Sequence, residues 1–366
     1  MDKKNLGLDS GRETKSYSQY LLEEIFHQPS VVLGVLKKHL SQKNVIDAFG
    51  EKAPFLFGRV HRIEVITTDK SYHAGMIARF WLEEISGIPC QVEIAKVYLL
   101  REKVIESNKL CVILAETGDE VESLEALFLA KDLGYTAILG ICNSAKSELM
   151  QESDIVLATG YKDLGVAIDL AVTQAFISQL TGLFLLAVAL GRYHRLDQSN
   201  EKMLIEKLAL LPQLLEQVLL LNSEIEKFGK ELAEKNHAIY LGRGIQLPVA
   251  MEGASKLKEL SAMNATAHPP EEFQVHPEAV FDLPVVALAP SYDFFDKWKK
   301  SFQDFRRYQY DVFVFSDKKV ESPDLKSLVM PLVDRFFSPI VYTLPVQLLA
   351  CHVGIHKEIA NKPYEL

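Results

Sequence analysis

Apolar residues in the first half of this chain follow two alternating patterns. Short apolar runs at residues 62–67, 91–95, 110–115, 136–142 and 155–158 predict strands. Helical spacing predicts helices over residues 71–85, 119–133, 148–154 and 169–190. Strands that alternate with helices of this length predict a parallel sheet covered by helices on both faces.

The same alternation restarts in the second half. Strands are predicted at residues 237–241, 285–289, 311–315 and 327–331, and helices through residue 260, over 293–307 and from 338 to 357. Both halves begin with a strand, a turn and a helix, which indicates an internal duplication of architecture. The sequence therefore predicts an α/β protein with two doubly wound parallel sheets in tandem.

The segments around the two sheets set the predicted domain limits. Residues 1–50 are expected to form a polar leader and two helices, one ending before Pro29 and one over residues 31–49. A first domain is predicted over residues 51–195 and a second over 235–366. Residues 196–234 form a leucine-rich helical connector that is interrupted near Pro212.

A strand, a tight turn and a helix follow one another at residues 239–261, with the turn at Gly242 and Gly244. Glu252, Lys256 and Glu259 are spaced by four and three residues, so they share one face of this helix. The helix N-terminus favours an anion, and the unit could hold a phosphorylated substrate and present an acid/base pair to it. The alternative is a solvated salt-bridge face.

Ligands of doubly wound sheets bind beyond the carboxyl ends of the strands. The loops at residues 67–71, 116–120 and 242–246 are therefore the predicted binding loops.

Composition narrows the class of protein. At 366 residues, with 48% hydrophobic and 24% charged residues, the chain is typical of a globular protein with about two domains. A formal charge of -9 argues against nucleic acid as a partner, because phosphate-backbone binders need a basic patch. The polar start has no signal-peptide core, and the longest apolar run, residues 183–190, is too short to span a bilayer. The sequence thus predicts a cytoplasmic protein without a membrane partner.

The cysteines carry no metal or disulfide pattern. They are widely scattered, and three of them lie in or directly next to apolar runs that predict strands. This favours buried, reduced thiols. No metal and no cofactor are expected.

Several blocks of sequence, in order, carry a family resemblance. Leu241-Gly-Arg-Gly with Pro248, then Glu252-Gly-Ala and Lys256-Leu-Lys-Glu-Leu-Ser261, resembles the second sugar-isomerase (SIS) domain of glucosamine-6-phosphate synthase. The other matching blocks are Glu24-Ile-Phe-His-Gln-Pro29, Ser71-Tyr-His-Ala-Gly75, Leu133-Gly-Tyr, Ile141-Cys-Asn143 and Ser338-Pro-Ile-Val-Tyr-Thr. The resemblance covers nearly the whole chain from Tyr17 onward. The family's glutaminase nucleophile, a cysteine after the initiator Met, is Asp2 here, so no glutaminase activity is expected.

The resemblance implies a homodimer of tandem SIS domains that binds a hexose 6-phosphate and moves a proton between C1 and C2. By position in the motif, Glu259 matches the isomerising carboxylate, and Glu252 and Lys256 match its neighbours. The alternative for these three residues is a retained scaffold salt bridge. The expected substrate and phosphate ligands are Ser71, Lys70, Thr117 and Gly118.

The sequence departs from the family in the phosphate loops. Asp69-Lys70-Ser71 replaces Gly-Thr-Ser, and Ala115-Glu-Thr-Gly-Asp-Glu120 replaces Ser-Gln-Ser-Gly-Glu-Thr. Glu116 and Glu120 bring like charge toward a phosphate, and one such repulsion is on the order of several kcal/mol at contact distance. Lys70 or a metal would have to compensate for it, or the acidic loop favours an amine or a cation.

Two further departures concern ring opening and imine formation. The family's ring-opening histidine is shifted by one position, so His276 is the candidate for that role, with a plain loop histidine as the alternative and His268 as a weaker candidate. The family ends in a lysine-bearing tail, whereas this sequence ends Lys362-Pro-Tyr-Glu-Leu366.

Two hypotheses follow. The first is a sugar-phosphate or amino-sugar-phosphate isomerase or deaminase, with Glu259 as base and Lys256 and His276 assisting. The second is a catalytically inactive SIS protein that binds a sugar derivative or a protein partner for regulation.

Overall fold

The computed structural model describes residues 16–40, 44–104, 108–160, 172–273, 283–292, 295–307, 310–320 and 325–357. Two five-stranded sheets are present, and all strand pairs in both are parallel. The first sheet has the order β2-β1-β3-β4-β5. Its strands are β1 (Arg62–Thr67), β2 (Cys90–Ile94), β3 (Lys109–Leu114), β4 (Ala137–Cys142) and β5 (Ile155–Ala158).

The second sheet repeats the order of the first. Its strands are β6 (His237–Gly242), β7 (Asn264–His268), β8 (Val285–Leu288), β9 (Val312–Ser316) and β10 (Leu325–Val329). The order β10-β9-β8-β6-β7 is the first order read from the other edge, with β6 in the place of β1. The predicted fold class and its duplication are confirmed. Strand β7 is not predicted by the sequence analysis, because it is a mostly polar edge strand in which Ala265 alone is fully buried.

Helices pack on both sheets, as the alternation predicts. They are α1 (Tyr17–Leu40), α2 (Ala53–Phe57), α3 (Tyr72–Trp81), α4 (Ala95–Leu100), α5 (Val121–Leu133), α6 (Glu148–Glu152), α7 (Val172–His194), α8 (Gln198–Leu208), α9 (Leu211–Leu219), α10 (Asn222–Ala233), α11 (Gln246–Ser261), α12 (Phe295–Arg307) and α13 (Ser338–His356). Short 3-10 turns cover Val45–Phe49 and Asp69–Ser71, and a π-helical turn, Leu82–Ser86, continues α3. The predicted interruption of the connector is present, with Pro212 in the first turn of α9.

Pro29 lies inside α1, so the prediction that a helix ends before it is wrong. An interior proline removes a backbone hydrogen bond and costs about 3 kcal/mol. The helix continues because both of its ends are held in the core: Leu21 and Ile25 precede the proline, Val32 and Val35 follow it, and none is more than 1% exposed. Burial of four large apolar side chains outweighs the cost of one proline.

The two halves share a core. Trp81 Nε1 of the first half donates to the Phe336 carbonyl of the second at 2.9 Å, and the rings of Phe184 and Phe337 lie 4.8 Å apart. Two stretches, Thr173–His194 in α7 and Ser338–His356, are long and apolar enough to cross a membrane, yet 94% of each is buried inside the protein. That burial is typical of core helices. The limits predicted for the domains stay a prediction.

From β1 the chain first moves outward to the edge strand β2 and then crosses back to β3 on the other side of β1. The direction of the connections therefore reverses between β1 and β3. Thr67 and Leu114, the last residues of these two strands, are register partners. The loops that follow them, residues 68–71 and 115–120, therefore lie side by side, at the point where doubly wound sheets bind ligands.

Candidate functional site

A cleft of about 160 Å³ lies where these two loops face the second half of the chain. The polar part of its first-half wall comes from Asp69, Lys70, Ser71, His73, Glu116 and Gln179. The opposite wall is the middle and end of α11, with Glu252, Ser255, Lys256 and Glu259, and Tyr17 of α1 adds a phenol. The cleft therefore needs both halves, and five of the eight predicted site residues line it.

Glu252, Lys256 and Glu259 face this cleft and do not form a solvated surface row. The side chains of Glu252 and Lys256 are only 5% and 8% exposed, and that of Glu259 is 39% exposed. Lys256 Nζ donates to Glu259 Oε2 at 2.7 Å, and the Tyr17 hydroxyl donates to Glu259 Oε1 at 3.3 Å. Two donors thus fix the direction of the Glu259 carboxylate while part of it stays accessible.

Burial and charge act in opposite directions on this ion pair. Burial raises the pKa of Glu252, but the hydrogen bond from His73 and the charge of Lys256 outweigh it, so the net pKa is lowered. Burial lowers the pKa of Lys256, but Glu252 and Glu259 outweigh it and the net pKa is raised. Both groups therefore stay charged at neutral pH, which makes the wall of the cleft a buried ionic cluster.

The N-terminus of α11 does not contribute to the cleft, contrary to the prediction for the loop at residues 242–246. Gln246, the first residue of α11, donates through Nε2 to the hydroxyls of Tyr292 and Ser338 at 3.1 and 2.9 Å. Thirteen residues of helix separate Gln246 from Glu259, which is about 20 Å along the axis. One small ligand cannot contact both, so an anion at the N-terminus of α11 would not reach Glu259.

His73 completes the ionic cluster from the other half of the chain. Its Nδ1 lies 3.0 Å from Glu252 Oε2, and its side chain is 16% exposed. A carboxylate on one ring nitrogen fixes the tautomer and leaves the other nitrogen for proton transfer. In the sequence this residue stands out only as part of a matching block. Its position two residues after Ser71 and three after Lys70 is the signal that could have marked it.

Ser71 lies at the centre of a hydrogen-bond network that ties three elements together. Thr68 Oγ1 and Gln179 Nε2 both donate to Ser71 Oγ, at 3.2 and 3.0 Å. Gln179 Nε2 also donates to the Ala115 carbonyl at 2.9 Å. Since both acceptor positions of the Ser71 hydroxyl are used, its own proton is left to donate to a group in the cleft.

The acidic loop folds back on itself. Glu120 Oε1 accepts from the backbone N–H groups of Glu116 and Thr117, both at 2.9 Å, and Glu120 Oε2 accepts from Gly118 N–H at 2.8 Å. Thr117 and Gly118, the predicted phosphate ligands, thus direct their N–H groups at Glu120, and neither residue lines the cleft. Lys70 Nζ lies 3.6 Å from Glu116 Oε2, so the expected compensating lysine faces a carboxylate of the same loop.

Gly118 makes this loop conformation accessible. Its φ is +87°, and a Cβ added there would lie 2.4 Å from Ser147 Oγ and 2.7 Å from Cys142 Sγ. A residue with a side chain would be strained in its backbone and would clash with the neighbouring loop. The converging N–H groups therefore depend on a glycine at this position.

Glu24 of α1 is a further buried carboxyl near the cleft. It is 4% exposed, and Thr173 Oγ1 donates to its Oε2 at 3.1 Å. The pKa of Glu24 is raised to about 7, chiefly by burial. The charge of Glu116 also raises it, whereas hydrogen bonds from Thr173 and the charge of Lys256 lower it. Glu24 is quoted in the sequence analysis only as part of a matching block, because its burial is not visible in the sequence.

The remaining predicted residues do not join the cleft. His276, the candidate for ring opening, and Lys362 lie outside the described residues. His268 is on β7, where its Nε2 lies 3.1 Å from Thr266 Oγ1, and it does not line the cleft. Among the histidines that the structure describes, His73 is the one that lines the cleft.

Two parallel sheets of identical strand order, with a polar cleft at the switch point of the first, define the class of tandem sugar-isomerase proteins. The family model of the SIS domain matches residues 56–189. The chain belongs to the SIS family and is homologous to the isomerase part of glutamine–fructose-6-phosphate aminotransferases.

Two curated relatives and one solved structure show the extent of this similarity. The chain is 40% identical over 348 residues to the isomerizing glutamine–fructose-6-phosphate aminotransferase of Pseudomonas aeruginosa, covering 93% of this chain and 56% of that protein. It is 37% identical over 359 residues to the Escherichia coli enzyme of the same name, covering 96% and 58%. The C-terminal domain of glucosamine-fructose-6-phosphate aminotransferase from Francisella tularensis has a TM-score of 0.85 at 30% identity, covering 94% of this chain and 97% of that domain. The chain thus spans somewhat more than half the length of the curated relatives it matches.

Proposed function

We propose that the cleft binds a hexose or hexosamine derivative of the class used by sugar-phosphate isomerases, and that it transfers a proton between C1 and C2. The product would be an isomerised or deaminated sugar. The observation that carries this proposal is the position of Glu259, which lies in the cleft with its carboxylate fixed by Lys256 and Tyr17. A carboxylate positioned in this way can take a carbon-bound proton and return it to the neighbouring carbon.

The other groups of the cleft fit supporting roles. The Lys256 ammonium, placed beside Glu259, stabilises negative charge on an enediol or enolamine oxygen as it develops. Among the described residues of the cleft, His73 is our candidate for moving a proton during ring opening, because Glu252 holds its ring. His276 stays a second candidate for this role. Ser71 donates a hydroxyl proton to the sugar. The role of each residue is part of the proposal.

The test is exchange of the C1 or C2 hydrogen with solvent deuterium, followed by NMR. Fructose, glucosamine and their 6-phosphates are supplied separately, so that turnover does not depend on the phosphate. Glu259→Gln should abolish the exchange because the amide cannot accept the proton. Glu234→Gln, an exposed carboxylate on the connector, is the matched control and should exchange at the wild-type rate. Exchange that survives in Glu259→Gln would reject this residue as the base.

A second candidate is a catalytically inactive SIS protein that binds a sugar derivative or a protein partner. The observation that favours it is the loop at residues 116–120, whose N–H groups are used within the loop itself. Binding of a sugar without any deuterium exchange in the wild-type protein would support this candidate over the enzyme.

We further propose that the protein is a cytoplasmic homodimer. The family resemblance supports the dimer, since the histidine-bearing loop of that family completes the neighbouring subunit's pocket. Four buried cysteines without disulfides, Cys90, Cys111, Cys142 and Cys351, support a reducing compartment. Light scattering after gel filtration tests the dimer, and a mass near 41.2 kDa would contradict it.

A further inference from the structure

We propose that Glu120 is a built-in anion that takes the place of a ligand phosphate, so that the cleft selects an unphosphorylated hexose or hexosamine. This inference rests on the proposed function of the cleft and names its substrate class. It also accounts for an acidic loop at the ligand-binding point of a sugar-isomerase fold.

Three successive backbone N–H groups converge on the Glu120 carboxylate. The donors of Glu116, Thr117 and Gly118 lie 2.8 to 2.9 Å from the two Glu120 oxygens. Successive N–H groups that point to one side form a concave anion site of the kind that binds phosphate oxygens. A sugar phosphate can use these donors only after Glu120 has left them.

The fold keeps Glu120 in this position. Glu120 directly precedes α5, and its carbonyl accepts from the N–H groups of Ser123 and Leu124 at 3.0 and 3.1 Å. Gly118 allows the loop to turn back toward Glu120. A side chain at position 118 would clash with the neighbouring Ser147. Both ends of the loop are thus fixed, and the carboxylate reaches the N–H groups from a fixed backbone.

The balance of charge in the cleft also disfavours a phosphate. Its two ammonium groups are already next to carboxylates: Lys70 lies 3.6 Å from Glu116, and Lys256 lies 2.7 Å from Glu259. Among the lining residues that the structure describes, these two lysines are the full set of lysines and arginines. Asp69 is likewise paired, with Lys96 at 2.8 Å, so a phosphate dianion would meet Glu116 without a cation of its own.

A neutral sugar does not meet this repulsion. Ser71 and Glu116 both line the cleft. A hydroxyl that can donate and a carboxylate that can accept are the two kinds of partner that a sugar hydroxyl needs. The chemistry of this wall therefore fits an uncharged hydroxymethyl end better than a phosphate ester.

Three variants separate two effects of Glu120: its occupation of the three N–H groups and its negative charge. Glu120→Thr shortens the side chain, removes the charge and frees the N–H groups, whereas Glu120→Gln keeps the length and an acceptor oxygen. Glu125→Thr removes an exposed carboxylate of α5 that does not line the cleft, and it serves as the matched control. Calorimetric titrations use fructose, fructose 6-phosphate and inorganic phosphate as ligands. Glu120→Ala replaces Glu120→Thr if the latter does not fold.

We expect wild-type protein to bind fructose at least tenfold more tightly than fructose 6-phosphate, and to show no measurable binding of inorganic phosphate. In Glu120→Thr the affinity for fructose 6-phosphate should rise at least tenfold, and in Glu120→Gln and Glu125→Thr it should change less than threefold. Wild-type protein that prefers fructose 6-phosphate, or a Glu120→Thr variant that gains nothing, would overturn the proposal. If wild type binds neither sugar but Glu120→Thr gains phosphate binding, the role of Glu120 stands and the proposed function of the wild-type cleft fails.

Discussion

Replacing Glu24 by Gln should remove a pH dependence of stability that this buried carboxyl imposes. The pKa of Glu24 is raised from 4.5 to about 7, chiefly because the folded protein buries the group. Folding therefore favours the protonated form. The stability that this gives is fully present below the unfolded pKa and is lost as the pH rises through the folded pKa.

The size of the effect follows from the shift. A difference of about 2.5 pKa units corresponds to about 3.4 kcal/mol, and about 2.5 kcal/mol of this falls between pH 5 and pH 8. The free energy of unfolding of wild type, relative to Glu24→Gln, should fall by that amount across this range. Gln cannot ionise, and its amide oxygen can still accept from Thr173.

Urea denaturation at pH 5, 6, 7 and 8 measures the difference directly. Other buried groups also make stability depend on pH, including His39 and His352, whose pKa values burial lowers, so the wild-type minus variant difference is the informative quantity. Glu23→Gln, which removes an exposed carboxylate of the same helix, is the control. A wild-type minus Glu24→Gln difference that changes by less than about 0.5 kcal/mol from pH 5 to pH 8 would refute the reasoning.

Two further predictions concern the ionic cluster and the loop. Lys256→Met should cost about 3–5 kcal/mol of unfolding free energy, because it leaves the buried Glu252 without its cation. In the same denaturation assay the exposed Lys258→Met should cost little, and equal losses would contradict a role for burial. Gly118→Ala should cost about 1–3 kcal/mol, from a positive φ and a clash with Ser147. Gly134→Ala has a positive φ of 72° but meets nothing within 4 Å, so it should lose less, and the reverse order in thermal melts would show that the clash is unimportant.

The sequence determined the architecture because hydrophobic alternation is a local signal. All nine strands predicted from apolar runs are present, including the match of β1 to residues 62–67. The missed strand, β7, lacks that signal, and the wrongly ended helix at Pro29 shows how packing overrides a local rule. Helical periodicity also placed Glu252, Lys256 and Glu259 on one face, as the structure has them.

The tertiary structure decided what that face meets. His73 and Glu252 are 179 residues apart in the chain, and no spacing rule connects them. The same fold buries Glu24 near Lys256, and it turns the middle of α11, not its N-terminus, toward the loops after β1 and β3. Two helices can present their charged faces in many relative orientations, and only the shared core of the two halves selects one.

In the acidic loop, too, the sequence determined one part of the site and the tertiary structure decided another. The sequence alone indicates two carboxylates near a phosphate site and hence a repulsion. The structure shows that Glu120 points back at the backbone N–H groups, since Gly118 is fixed against Ser147 in a left-handed conformation. Sequence thus determined the elements and the residue types of the site, whereas the directions of its side chains depend on contacts between segments distant in the chain.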